Sequence, residues 1–274
     1  MITQKFPFLL PLRIAQRKVF FYAGMRLDRH AYAKTIQSEW LPYSLFSADS
    51  GLYNVNTGFD MIYQENKVFN LKLAAKTLNG LLIKPGETFS FWQAARGADK
   101  HTPYKDGLVV KNGNLCVASG GGLCQMSNLL FWLFLHSPLS IVERHAHRKK
   151  AFPTVQGTAP EGVDATVGEG WLDLKVKNET DRVFQIGISF CDAAITGSLF
   201  TDKPFPLMYE ITGDGLSYFR NKGTVYQKIS IYRREVDIDT REILSEKLLY
   251  TNLCAIGYPL PGNIPVIEER AERG

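Results

Sequence analysis

Gly120-Gly121-Gly122-Leu123-Cys124-Gln125-Met126-Ser127 runs almost directly into Leu129-Leu130-Phe131-Trp132-Leu133-Phe134-Leu135, and the other segments arrange themselves around this join. A glycine-rich turn leads into a helix too uniformly apolar to lie on a surface, so the helix belongs in a core. Cys124 falls in its first turn, where unpaired N–H groups and the positive end of the macrodipole favour a thiolate. It is a candidate nucleophile.

Upstream, Val68, Leu71, Ala74, Ala75 and Leu78 recur at helical intervals and end in Asn79-Gly80, a natural C-cap, which predicts an amphipathic helix over 67–80. Residues 81–83 read as a strand, 84–87 as a turn and 88–92 as a second strand; 107–111 and 114–117 read as a hairpin closed by Asn112-Gly113. Downstream, Pro138 stops the cysteine helix, and the alternation over 140–147 predicts a strand with Glu143, His145 and His147 on one face. After a loop rich in Pro and Gly, 164–167 begins another strand. Residues 171–177 and 182–188 flank a polar turn as a further hairpin, and 224–234 is strand again.

The expected fold class is α+β: a buried Cys-bearing helix packed on antiparallel strands, followed by a mostly β C-terminal portion. Three segments are expected: a basic and aromatic helical leader over 1–50, a core domain over 51–200 and a β-rich extension over 201–274. The leader carries Val19, Phe20, Tyr22 and Met25 at helical spacing and could dock on the body, on a partner or on an anionic membrane surface.

Composition excludes several classes. With 274 residues, 45% hydrophobic and 22% charged, the chain is neither disordered nor fibrous and can bury a real core. A net charge of +5 is mild for this length. No segment interleaves basic and aromatic residues as a nucleic-acid platform does, so no nucleic-acid partner is expected. Cys116, Cys124, Cys191 and Cys254 form no CxxC pair and are read as reduced thiols, with Cys191 assigned to packing. The apolar run near the N-terminus is short, holds Pro7 and Pro11 and passes into Arg13, a poor match to a signal peptide. A cytoplasmic location with a peripheral membrane contact through the leader is expected; oligomeric state stays open.

Thiol attack on an acyl group needs a base, a group that orients the base, and donors for the oxyanion. Cys124 would attack, His145 or His147 would act as base and then acid, and Asp164 would hold the second imidazole nitrogen. The N–H groups of the helix start, with the Gln125 side chain, would receive the oxyanion. Gly120, Gly121 and Gly122 would let substrate approach the backbone, while Arg144 and Ser127 would touch it. Plainer readings stand beside these. A free cysteine often packs as a small hydrophobe, Asp164 suits a turn, and the basic run from Arg144 to Lys150 suits a solvated strand end. A zinc set from Cys124, His145, His147 and either Glu143 or Asp164 is the rival chemistry, although no second close-spaced ligand pair supports it. No cofactor and no metal is expected.

These motifs carry a resemblance. Residues 78–80, Pro-Gly-Glu-Thr-Phe-Ser-Phe at 85–91, Gly-Gly-Gly-Leu-Cys-Gln-Met-Ser-Asn-Leu-Leu at 120–130, Val-Glu-Arg-His-Ala-His at 142–147 and Asp-Ala-Thr-Val at 164–167 together resemble the VanW family, named from accessory proteins of some vancomycin-resistance clusters. The likeness spans roughly 66–190. Family members often carry a small polar run where this chain has Ser127-Asn128, and His-Pro-His where it has His145-Ala146-His147. The cysteine, glutamine and histidines are kept. The order of helix-borne cysteine, histidine and aspartate also resembles that of papain-like and transglutaminase-like enzymes. Taken with the resemblance, the Cys-His-Asp set read above makes the expected activity a cysteine-dependent acyl transfer or amide hydrolysis on peptide-like cell-envelope material, accessory to glycopeptide resistance. A non-catalytic module that grips a peptidoglycan precursor or a partner protein is the alternative.

Overall fold

In the computed structural model, which describes residues 7–111, 114–150 and 159–268, the chain opens with helix α1 (Leu10–Leu27) and strands β1 (Ala31–Tyr32) and β2 (Tyr43–Gly51). Next come α2 (Ile62–Leu78), β3 (Leu82–Ile83), β4 (Glu87–Ser90) and the short α3 (Phe91–Ala95). Strands β5 (Asp106–Lys111) and β6 (Asn114–Ser119) precede α4 (Leu123–Leu135), which is followed by β7 (Ser140–Glu143), β8 (Lys149–Lys150) and β9 (Lys175–Lys177). The rest is strand: β10 (Phe184–Phe190), β11 (Ala194–Thr201), β12 (Leu207–Asn221), β13 (Thr224–Asp237), β14 (Ile243–Ile256) and β15 (Val266–Glu268). The fold is α+β.

Three sheets and one ribbon organise these strands. The first has the order β1-β4-β9-β7, the second β2-β11-β10-β3 and the third β15-β12-β13-β14-β8, while β5 and β6 pair alone. Helix α4 lies against β2 and β11 of the second sheet. Gly197 of β11 makes room for it: a Cβ there would sit 2.9 Å from Leu133 Cδ1 and 3.0 Å from Leu129 Cγ. Every residue from Leu129 to Leu135 is buried, and Phe131 and Phe134 join Phe89 and Phe184 in one continuous core. Each fully buried side chain of this kind contributes about 1.5–3 kcal/mol, so the helix is fixed from all sides. Among the described residues no helix is long and apolar enough to cross a membrane.

The structure departs from the periodicity readings in five places. The strand expected over 140–147 stops at Glu143, because the backbone N–H of His147 turns to Asp164 Oδ2 at 2.8 Å and the His145 carbonyl accepts from Thr166 N at 2.7 Å. Residues 164–167 form no strand; they are an extended loop held by side chains of α4. The hairpin expected across 171–188 is absent, since β9 pairs with β4 and β7 while β10 pairs with β3 and β11. Asn178 makes that crossing, donating from Nδ2 to the Ile83 carbonyl at 2.9 Å and the Arg182 carbonyl at 2.7 Å. Strand β4 ends at Ser90, whose hydroxyl accepts from Gln93 N and caps α3. The helical character of the leader ends at Leu27, and 43–51 is a strand of the second sheet. The Asn112-Gly113 turn lies outside the described residues, but β5 and β6 pair antiparallel on either side of it.

Candidate functional site

Glycine chemistry sets the start of α4. Gly122 caps the helix with a φ of +95°, a region that costs an L-residue a steric clash. Gly121 meets Gly107 of β5 backbone to backbone, so that a Cβ on either would collide with the other. The buried Asn70 of α2 clamps this turn, donating to the carbonyls of Gly121 at 3.0 Å and Lys105 at 2.9 Å and accepting from Lys105 N at 2.8 Å. The turn is thereby held in place ahead of the cysteine.

Cys124, half-buried, points at the 164–167 loop, its Sγ 3.5 Å from Thr166 Oγ1 and 3.7 Å from the Val167 carbonyl oxygen. Helix α4 itself positions that loop. Ser127 donates to the Ala165 carbonyl at 2.6 Å, and Asn128 Oδ1 accepts from Ala165 N at 2.7 Å. Asp164 at the head of the loop takes His147 Nδ1 at 2.7 Å on Oδ2, and Arg144 Nη2 at 2.6 Å on Oδ1. With Nδ1 committed, Nε2 is the nitrogen left for the sulfur, and imidazole and thiol lie near enough to shift each other's ionisation. Arg144 is anchored in turn: it donates to the carbonyls of Asp164 and Gly162 and to Asn252 Oδ1, and its guanidinium lies 4.2 Å from the Tyr250 ring centroid.

The electrostatics follow from this line of groups. Burial alone would push the Cys124 thiol up, but the hydrogen bond and charge of His147, with the Thr166 hydroxyl, hold it below the usual range. Burial alone would pull His147 down, yet the hydrogen bonds and charges of Asp164 and Cys124 raise it to about 10. Asp164 resists its own burial and stays low because His147 and Arg144 face its two oxygens. The geometry favours a thiolate beside an imidazolium.

Not every expected residue joins this group. His145 turns away, its Nε2 2.9 Å from Glu143 Oε1, whose second oxygen binds Lys175 Nζ at 2.9 Å. The alternation placing Glu143, His145 and His147 on one face fails because both histidines lie beyond the end of β7. Gln125 spends both amide hydrogens on Ser50 Oγ at 2.9 Å and the Gly51 carbonyl at 2.6 Å, so its side chain braces α4 on β2 instead of facing an oxyanion. Ser127 is fully buried, and Arg144 commits Nε and Nη2 to Asp164, Gly162 and Asn252. Cys191 is exposed just past β10, which overturns its assignment to packing; Cys116 is half-buried and Cys254 buried. The zinc set does not assemble: among the described residues no three His, Cys, Asp or Glu side chains are grouped to hold a metal ion.

Sequence reading missed Asn70, Asn128 and Thr166. The first was hidden inside a helical pattern of apolar residues, where a buried Asn on the inward face was the one available signal.

The family model described as VanW like protein matches residues 66–200. Over 267 residues the chain is 58% identical to the vancomycin B-type resistance protein VanW of Enterococcus faecalis, covering 97% of each. It is 34% identical over 118 residues to the uncharacterised protein YoaR of Bacillus subtilis, a match spanning 43% of this chain and 37% of that one. No solved structure matches.

Proposed function

Since the chain belongs to the family of VanW-like proteins, we propose that it is a cysteine-dependent enzyme of acyl transfer or amide hydrolysis acting on peptide-like material of the cell envelope. The observation that carries this reading is the hydrogen-bonded line Arg144–Asp164–His147, whose imidazole acts on the Cys124 sulfur at the start of α4. A structural cysteine needs none of these partners.

In the proposed reaction the thiolate of Cys124 attacks the carbonyl carbon of an amide, and the carbonyl π pair moves onto oxygen. Backbone N–H groups at the start of α4, where no side chain caps the helix, donate to that oxyanion. As the tetrahedral centre collapses, the C–N bond breaks and the amine leaves with the proton held on His147, giving a thioester. Water or an acceptor amine then attacks the thioester, passes its proton to His147 and expels the thiolate. Asp164 stays ionised throughout and fixes the imidazole tautomer.

A papain-like or transglutaminase-like core is the finer fold reading, resting on the order of cysteine helix, histidine and aspartate. The Enterococcus faecalis relative has vancomycin resistance in its name, which makes peptides of the peptidoglycan type the first substrate class to try. The direct test is the rate of iodoacetamide alkylation at Cys124 against pH. A rate that is high and flat from mildly acid to neutral pH supports the enzyme. A slow rate that climbs only towards the ordinary thiol range would leave a peptide-binding module as the reading.

A further inference from the structure

We infer that the phenol of Tyr104 is the side-chain donor to the oxyanion formed at Cys124, a role that rests on the acyl chemistry proposed above. Such an oxygen is best held by more than one preorganised donor. Gln125 supplies none, since its side chain braces β2 and its backbone N–H is given to the Gly122 carbonyl at 2.9 Å.

Tyr104 is fastened to the turn that leads into α4. Its carbonyl accepts from Ser119 Oγ at 3.1 Å, and the carbonyl of the next residue, Lys105, accepts from Gly120 N at 3.1 Å and from the Asn70 side chain at 2.9 Å. The ring then lies along the turn: a Cβ built on Gly120 would sit 3.7 Å from Tyr104 Cδ2 and 3.8 Å from Cδ1 of Leu123, the residue before Cys124. The phenol also feels the charges of Asp99 and Glu169. Glu169 lies two residues after Val167, whose carbonyl oxygen is 3.7 Å from Cys124 Sγ. Tyr104 thus bridges the glycine turn and the 166–169 segment, the same two elements that enclose the sulfur.

Its hydroxyl is the unusual part. Oη is buried and has no hydrogen-bond partner among the described residues. Glu169 does not take it, because the two oxygens of that carboxylate go to Tyr22 and Lys18. An orphaned buried donor is rare in a folded protein and calls for a role. Burial and the two nearby negative charges push the phenol up, so it keeps its proton at neutral pH. A donor that is protonated and unpaired at rest is ready for a charge that exists only during reaction. It donates a hydrogen bond and transfers no proton; His147 remains the group that moves one.

Two thiol probes on the full chain test this. Iodoacetamide alkylates the thiolate by displacing iodide at its methylene carbon, and no oxyanion forms. p-Nitrophenyl acetate is attacked at its carbonyl: the S–C bond forms, the carbonyl pair moves onto oxygen, and its return expels p-nitrophenolate and leaves an acetyl thioester. In Tyr104→Phe, acetylation of Cys124, followed by mass spectrometry, should fall about a hundredfold, as for removal of one oxyanion donor. Alkylation should stay within about twofold of wild type, since the groups that set the thiol's ionisation are untouched. The variant should melt no lower than wild type, because the ring still packs and the hydroxyl had no partner to lose. Unchanged acetylation beside fast alkylation would overturn the role of Tyr104 alone. A parallel fall in both rates, or a lower melting temperature, would overturn it too, by making the residue a support of the turn. Slow alkylation of Cys124 in the wild type would instead defeat the acyl reading, and this role with it.

Discussion

Two thiols flank one aspartate, and the contrast between them isolates what makes the corner at α4 unusual. Cys254, on β14, is buried, and burial together with the negative charge of Asp164 pushes it up to about 11. Cys124, tied to the same carboxylate through His147, is held low. The difference is His147, whose hydrogen bond and charge outweigh burial at Cys124, whereas the Lys150 charge acting on Cys254 does not outweigh burial and Asp164. A carboxylate beside a thiol suppresses the thiolate, but with an imidazolium interposed the same charge supports one.

Removing the shared aspartate should have the largest effect. Asp164→Ala leaves the Arg144 guanidinium, only 10% exposed, without its charge partner and frees the His147 ring. A loss of about 3 kcal/mol in urea unfolding is expected, in the range for breaking a buried pair from one side. The contrast between the thiols should shrink as well, with Cys254 becoming easier and Cys124 harder to ionise.

His147→Ala attacks the contrast directly. Without the imidazole, Cys124 returns to a desolvated thiol, and its alkylation at pH 6 should fall by about tenfold or more, since the group that lowers its pKa is gone. Mass spectrometry should place the wild-type label on Cys124 and leave Cys254 unmodified. Equal labelling of the two in the wild type would dissolve the comparison.

Support from outside the triad should matter next. Asn70→Ala removes one hydrogen bond from Gly121 and two from Lys105, leaving the Lys105 N–H and the Gly121 carbonyl without the side chain that pairs them, while the Lys105 carbonyl keeps Gly120 N. A cost of about 2 kcal/mol is expected from the lost bonds and unpaired groups, with a slower alkylation of Cys124 as the turn loosens.

The pH dependence of stability sharpens the same point. His147 is raised when folded, so its contribution is complete below the unfolded histidine value of about 6.5 and is lost as pH rises through about 10. Cys124 is depressed when folded, so its contribution is complete above the unfolded thiol value of about 8.5 and is lost as pH falls through the folded value. Just below about 8.5, where Cys124 is ionised in the folded chain and protonated in the unfolded one, the two slopes oppose each other and cancel. The urea midpoint should therefore flatten there and decline as pH rises from about 8.5 to about 10, and His147→Ala should remove this shape.

Much of this corner was legible in the sequence, and the limits have physical causes. The apolar run after Cys124 could only be a core helix, whereas the three glycines before it read as room for a substrate, and at Gly121 it is the backbone of Gly107 that makes the close approach. Asp164 and the pair His145 and His147 were visible as candidates. What a local pattern could not supply was which histidine turns inward, because that depends on hydrogen bonds to a loop about twenty residues later in the chain. The same limit explains the missing hairpin at 171–188. Its turn signal was real, but Asn178 uses its side chain to carry the strand from one sheet to another.

The smallest expected effect comes from the histidine two residues before His147. His145 is 37% exposed and pairs with Glu143, which keeps Lys175 as a second partner, so His145→Ala removes one leg of a surface ion pair and leaves no buried charge bare. Such pairs are worth about 0–1 kcal/mol. The unfolding midpoint should barely move, and the alkylation rate of Cys124 should stay within about threefold of wild type, since no group that sets its ionisation is touched. A fall comparable to that of His147→Ala would mean that the loop carrying His147 is held by its neighbour's side chain as much as by Asp164. The division between an inner and an outer imidazole would then have to be redrawn as one coupled unit.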